Sequence, residues 1–291
     1  MITKTYANRT IGIQALLSLV TILLLAACGG STTGAPASSP ATSSTSSTTA
    51  TATLKHVPNG MASLSWDPST HTLTVKLSLV GLAPKSIHPA HIHTGSCSKQ
   101  GAVVHPLQNV VADEHGIASV TSTIPNVMQG IPASGWYVNV HNGPGLSTTD
   151  QFLPIVCGDV SNSSTSTTAA QSANVPLSAA PNASAGQSAQ GTAQLTLSGG
   201  TLTVKLTLSG LTPNSVHPAH IHTGSCENQG TVVYPLTNVT ADASGNATVT
   251  TTIPNVSSIP SSGWYVNVHR GPGLSTQTEF DPIACGNVTV G

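Results

Sequence analysis

The chain has 291 residues, of which only 6% are charged, and its formal net charge is −1 at pH 7. Amphipathic helices need Lys, Glu and Arg on their solvent-facing side, so this composition argues against an α-helical protein. No cluster of Lys and Arg follows the N-terminus, so we expect no nucleic-acid partner. Histidine is unusually abundant: its 12 residues outnumber both the Lys+Arg and the Asp+Glu residues, which indicates metal binding.

The first segment is predicted to be an export signal, residues 1–27. Lys4 and Arg9 precede an apolar stretch that is short for a membrane span but typical of a secretory signal. The stretch ends in Leu25-Ala26-Ala27-Cys28, which resembles the lipobox of bacterial lipoproteins. The resemblance implies that Cys28 is lipidated and that the mature protein is extracytoplasmic, anchored to the bacterial cell membrane. The alternative is an ordinary signal peptide with an incidental cysteine.

Two segments rich in Ser, Thr, Ala and Pro follow, at 28–52 and 161–186. Such segments bury too little apolar surface to fold, so both are predicted to be disordered linkers. They leave two units, 53–160 and 187–291, each of ordinary domain size.

The two units are copies of one sequence. The run from His88 to Cys97 recurs letter for letter from His217 to Cys226, and Trp-Tyr-Val-Asn-Val-His recurs at 136–141 and 264–269. Apolar and polar residues alternate in each copy, as at 73–79 and 202–208, and turn residues separate these stretches. The pattern predicts an all-β protein of two tandem sandwich or barrel domains.

The cysteines are consistent with this division, because two remain in each copy after Cys28. We predict the disulfides Cys97–Cys157 and Cys226–Cys285, which persist in the oxidising compartments outside the cytoplasm. Pairing between the copies and free thiols are the less favoured alternatives.

Four histidine positions occur in both copies. His91 and His93 are two residues apart and point to the same side of an extended segment, and His141 ends another strand. His220, His222 and His269 repeat this set, and His88 and His217 lie three residues before it. Three neutral imidazoles suit copper and could hold zinc. The alternative is that the histidines only form hydrogen bonds at one end of the sandwich.

The string His-x-x-His-Ile-His-x-Gly-x-Cys resembles the copper-binding segment of Cu/Zn superoxide dismutases, and the Tyr-Val-Asn-Val-His strand resembles CHRD (chordin-type) domains. The resemblance implies Greek-key domains of the dismutase type. It implies one copper per domain, with these ligands: His91, His93, His141, His220, His222 and His269. His88 and His217 would support the ligands from beside the metal.

Two departures from the dismutases limit what the resemblance implies. The loop that supplies zinc ligands is missing, so we expect copper and not zinc. Pro154 and Pro282 replace the arginine that attracts the superoxide anion, which weakens the case for fast dismutation. No catalytic residue and no protein partner can be assigned. Copper binding with superoxide dismutase activity therefore stands beside a non-enzymatic alternative, a CHRD-type binding module whose histidines are structural.

Overall fold

The computed structural model describes residues 47–180 and 188–291. The predicted signal peptide, Cys28 and most of the first linker lie outside the described residues. None of the helices within the described ranges has the length and hydrophobicity to cross a membrane. The predicted all-β class is confirmed, since two short helices accompany a structure otherwise made of strands and loops.

Copy 1 of the repeat forms ten strands and one helical turn. They are β1 (Thr48–Leu54), β2 (Asn59–Asp67), β3 (Thr72–Val80), β4 (Ile87–His88), β5 (Ala90–Ser96), β6 (Lys99–Pro106), β7 (Val110–Val111), β8 (Ala118–Ile124), β9 (Trp136–His141), α1 (Thr149–Phe152) and β10 (Pro154–Asp159).

Copy 2 repeats the same order and adds a short final strand. Its elements are β11 (Gln171–Leu177), β12 (Gln190–Ser198), β13 (Thr201–Ser209), β14 (Val216–His217), β15 (Ala219–Gly224), β16 (Gln229–Pro235), β17 (Val239–Thr240), β18 (Ala247–Pro254), β19 (Trp264–His269), α2 (Gln277–Phe280), β20 (Pro282–Asn287) and β21 (Thr289–Val290).

These strands build two sandwiches, each of two antiparallel sheets. Domain 1 packs the sheet β10-β9-β5-β6 against the sheet β11-β2-β3-β8. Domain 2 packs β16-β15-β19-β20 against β18-β13-β12-β1-β21. Within the described residues the sheets do not close on themselves, so the domains are open sandwiches and not barrels.

Alternation along each strand fills the space between the sheets. In β3, Leu73, Val75, Leu77 and Leu79 are at most 1% exposed, while the residues between them face outward. Full burial of such a side chain contributes about 1.5–3 kcal/mol to folding. β13 repeats the pattern in domain 2, so the same sequence signal builds both cores.

The first strand of each copy belongs to the sandwich of the other copy. β1 pairs with β12, with Leu54 opposite Gly191, and β11 pairs with β2, with Leu177 opposite Gly60. Each exchanged strand also reaches the disulfide-bearing strand of its host, through the bridges Lys55–Cys285 and Ser178–Cys157. The exchange is reciprocal, so each domain contains one strand from the other copy.

The exchanged strands correct the linker predictions. Residues 48–52 of the predicted linker 28–52 lie in β1, and residues 171–177 of the predicted linker 161–186 form β11. The linker prediction rested on composition and overlooked that every second residue of β1 from Ala50 onward is apolar. These residues, Ala50, Ala52 and Leu54, are buried. Thr51 and Thr53 separate these apolar residues, and Thr favours strands.

A second contact joins the domains at the β16 edge. The backbone N–H of Gln229 donates to the His115 carbonyl at 2.9 Å, and the His115 Nδ1 donates to the Gln229 carbonyl at 3.0 Å. The Gln229 side chain donates from Nε2 to the Leu82 carbonyl at 2.9 Å and is only 5% exposed. Buried hydrogen bonds therefore fix domain 2 against domain 1.

Candidate metal centre

In each sandwich, three histidines on two neighbouring strands of one sheet converge. In domain 1, one ring nitrogen each from His91, His93 and His141 lies within 4.8 Å of the other two. Strand alternation explains the pair on β5, because Ile92 between them points into the core and is 0% exposed. β9 is the hydrogen-bonded neighbour of β5, which brings His141 alongside. We call this group site 1.

Domain 2 repeats the group, which we call site 2. Its members are His220, His222 and His269, with their ring nitrogens again within 4.8 Å of one another. The rings of His220 and His269 are 5.2 Å apart between centroids, the same separation as for His91 and His141. The convergence expected from the sequence is therefore present in both copies.

Backbone carbonyls fix two of the three rings in each site. His93 donates from Nδ1 to the Gly101 carbonyl at 3.0 Å, and His141 donates from Nδ1 to the Phe152 carbonyl at 2.6 Å. Since the Nδ1 atoms carry the protons, each Nε2 presents a lone pair to the site. His222 and His269 make the equivalent bonds to Gly230 and Phe280.

The third ring of site 1, that of His91, contacts the His141 ring through its Nδ1 atom. His91 Nδ1 is 3.2 Å from His141 Nε2, and His141 Nε2 carries no proton because its Nδ1 does. His91 Nδ1 must therefore donate in this contact. A metal ion held through the His91 Nδ1 would need that proton to move to the His91 Nε2, which frees a third lone pair at the site.

Two observations test whether these residues suit a metal. The buried Nε2 atoms of His93 and His222 have no hydrogen-bond partner among the described residues. Such an unpartnered atom costs about 1–3 kcal/mol, which coordination would offset. Burial also lowers the pKa of His91 to about 4, assisted by repulsion from His141 and His93, and burial lowers the pKa of His269 to about 4. The His91 and His269 rings are thus neutral at pH 7, as a metal requires.

His88 and His217 lie beside the sites and not in them. His88 donates from Nδ1 to the His141 carbonyl at 2.9 Å and contacts the Ser86 hydroxyl through Nε2 at 2.7 Å. His217 makes the matching contacts with His269 and Ser215. Each ring therefore holds the backbone of a candidate ligand in place.

Aromatic residues line the same sites. Tyr137 stacks on His93 with 5.0 Å between ring centroids, and its other neighbours include the Cys97–Cys157 disulfide. The Phe152 ring lies 5.0 Å from that of His141. The sequence predictions assigned no role in the site to Phe152. The repeat carried a signal for it, since the chain has only two Phe residues, and Phe280 occupies the equivalent position.

The remaining described histidines belong to neither group. His56 contacts the Ile155 carbonyl through Nε2 at 3.0 Å, and His105 packs edge-on against Trp136. Both predicted disulfides are present, Cys97–Cys157 and Cys226–Cys285, each with 5.9 Å between Cα atoms. The four cysteines of the described residues are therefore paired, and none of them can offer a thiolate to either site.

A family model described as the CHRD domain matches the chain twice, at residues 31–144 and 165–272. Each match spans one exchanged strand and all three histidines of one site. A search of curated proteins found no match.

Proposed function

Because this chain belongs to the CHRD domain family, with two tandem copies, we propose that each domain binds one copper ion through its three histidines. The observation that carries the proposal is the convergence of three histidine rings, two of them fixed by backbone carbonyls. Repetition of that geometry in the second domain supports it further.

The donor set favours copper over other ions. Each group contains only imidazole nitrogens, with no carboxylate or thiolate. Imidazole suits copper and zinc, and Cu²⁺ binds such sites more tightly than Zn²⁺ does. The resemblance to the copper-binding segment of the dismutases also supports copper. The missing zinc loop leaves no second metal site in the proposal.

Redox activity, including superoxide dismutation, is the activity that such a centre would support. Bound copper supplies one-electron chemistry by alternating between Cu²⁺ and Cu⁺. Three nitrogen donors leave a coordination position open, and the His91 and His220 rings are partly exposed to solvent. Pro154 lies opposite His141 and Pro282 opposite His269, so these neighbouring positions carry no positive charge. We therefore expect slow turnover of an anionic substrate.

The proposed location is the outer side of a bacterial cell membrane, with lipidated Cys28 as the anchor. The lipobox-like sequence before Cys28 supports export and lipidation, and the two disulfides support an oxidising compartment. The membrane is the proposed partner.

The test uses soluble protein that begins after Cys28 and retains β1. We expect two copper ions per chain after loading and removal of excess. His93→Ala should lose the copper of site 1 only, and His222→Ala that of site 2 only. His105→Ala, outside both groups, serves as the control. Superoxide removal by the loaded protein then measures activity.

Copper bound without activity would leave a copper-holding role. Failure to bind stoichiometric copper, or binding that survives both histidine substitutions, would overturn the proposal and favour a metal-free CHRD interaction module.

A further inference from the structure

One side chain of domain 2 reaches across to the backbone beside site 1. Gln277, at the start of α2, accepts a hydrogen bond at Oε1 from the Ile87 N–H at 2.9 Å. Its Nε2 donates to the Ile87 carbonyl at 2.8 Å and to the Asn142 carbonyl at 2.9 Å. A single amide thus satisfies both backbone groups of Ile87 and the carbonyl of Asn142.

Those two residues adjoin the histidines of site 1. Ile87 directly precedes His88, and Asn142 directly follows the candidate ligand His141. The bond between His88 and the His141 carbonyl already ties these two segments together. Gln277 ties them a second time, from outside the domain.

Further contacts from domain 2 reach the same segment. Thr278 donates from Oγ1 to the Gly143 carbonyl at 3.3 Å, and Arg270 donates to Asn142 Oδ1 at 3.4 Å. Gly143 has a φ of 68° and lies so close to the Ile87 carbonyl that a side chain there would collide with it. The backbone after His141 is therefore packed too tightly to move without changing the Gln277 contacts.

The arrangement is not reciprocal. The residue of copy 1 equivalent to Gln277 is Thr149, and the residue of copy 2 equivalent to Asn142 is Arg270. A threonine has one short hydroxyl and cannot bond three backbone groups at once. Thr149 therefore cannot make beside site 2 the contacts that Gln277 makes beside site 1.

We propose that Gln277 is a positioning residue for site 1, so that domain 2 sets the copper affinity and geometry of domain 1. The inference rests on the proposed copper binding. Gln277 acts through the backbone of Asn142, which directly follows His141, and the His141 Nε2 must converge on one ion with nitrogens of the other two rings. Loss of an outer partner of a metal ligand weakens binding about 10- to 100-fold, and we expect the lower end because Gln277 acts through one more residue.

The experiment isolates each site in the full soluble chain. His220→Ala/His222→Ala leaves site 1 alone, and His91→Ala/His93→Ala leaves site 2 alone. Gln277→Glu is introduced into both backgrounds. It keeps the side-chain shape but places a carboxylate against two carbonyls. Gln277→Ala provides a second substitution without that repulsion. Copper affinity is measured by chelator competition and geometry by electron paramagnetic resonance.

We expect both substitutions to weaken copper about tenfold at site 1 and to change its spectrum. Site 2 should keep its affinity and its spectrum, and circular dichroism should show an unchanged fold. Unchanged affinity at site 1, or an equal loss at both sites, would overturn the inference while copper binding stands. Absence of copper binding in both backgrounds with Gln277 intact would overturn the proposed function and the inference together.

Discussion

Domains 1 and 2 share a histidine site but differ in the segment that follows its last member. After His141 the chain carries Asn142 and Leu153, whereas after His269 it carries Arg270 and Asp281. The ring contacts of the two sites are nearly the same, and the carbonyls that orient the rings come from equivalent residues. The orienting contacts of the ligand rings are thus equivalent in the two sites, although the residues that join the domains differ.

The interface shows the same asymmetry in a residue that both copies share. Gln100 and Gln229 occupy equivalent positions, yet Gln100 is exposed and Gln229 is buried against Leu82. One copy therefore contributes most of the polar contacts and the other mainly supplies backbone groups to receive them. Two copies of one sequence can therefore form equivalent histidine sites while contributing different side chains to the interface between the domains.

The largest expected effect concerns the exchanged strands. Leu54 is 1% exposed and packs in the core of domain 2, although it precedes the domain 1 strands in sequence. Leu54→Ala should cost about 2–5 kcal/mol of unfolding free energy. Hydrogen exchange should show the loss of protection in β12 and not in β2. Leu177→Ala should produce the opposite pattern, and Thr53→Ala, on the exposed face, is the control. Equal loss in both domains after either change would contradict the exchange.

A smaller effect is expected from the buried glutamine. Gln229→Ala leaves the Leu82 carbonyl without its partner, at a cost of about 1–3 kcal/mol. Gln100→Ala removes the same side chain from an exposed position and should stay within about 0.5 kcal/mol. Urea unfolding of both variants measures the difference. Equal losses of unfolding free energy in the two variants would contradict the different burial of Gln100 and Gln229.

A further effect depends on pH. Asp281 is 0% exposed, both its oxygens lack a hydrogen-bond partner among the described residues, and burial raises its pKa to about 8 despite the attraction of Arg270. The folded protein therefore keeps a proton that the unfolded chain releases near pH 4. The contribution of Asp281 to the free energy of unfolding is therefore fully present below about pH 4 and is lost as the pH rises toward 8.

Asp281→Asn removes the titration, since the amide stays neutral throughout. Between pH 6 and pH 8 the melting temperature of the parent protein should fall relative to that of the variant. Parallel melting profiles would show that Asp281 does not titrate in this range.

The sequence was sufficient for the repeat, the all-β class and the composition of both histidine groups. Those predictions rest on strand alternation, which is a local property and puts His91 and His93 on one side whatever the sheet order. The structure confirms the class and brings the predicted histidines together.

The strand exchange could not be predicted in the same way. β1 alternates correctly for pairing with either β2 or β12, because both strands descend from the same repeat position. Which edge it joins depends on distant residues and not on its own pattern. Burial also depends on distant residues, so nothing in the sequence indicated that Gln229 is buried while Gln100 is exposed. The Phe152 carbonyl that orients His141 was also missed, because a backbone contact leaves no mark in the sequence.

The most direct measurement is the number of nitrogen ligands on copper in the loaded chain, by pulsed electron paramagnetic resonance. We predict two copper ions per chain, each coupled to three histidine nitrogens. The account would be contradicted if copper at both sites coupled to fewer than three histidine nitrogens and the coupling did not change after His141→Ala or His269→Ala. Such a result would mean that β5 and β9, and likewise β15 and β19, do not supply ligands to one ion.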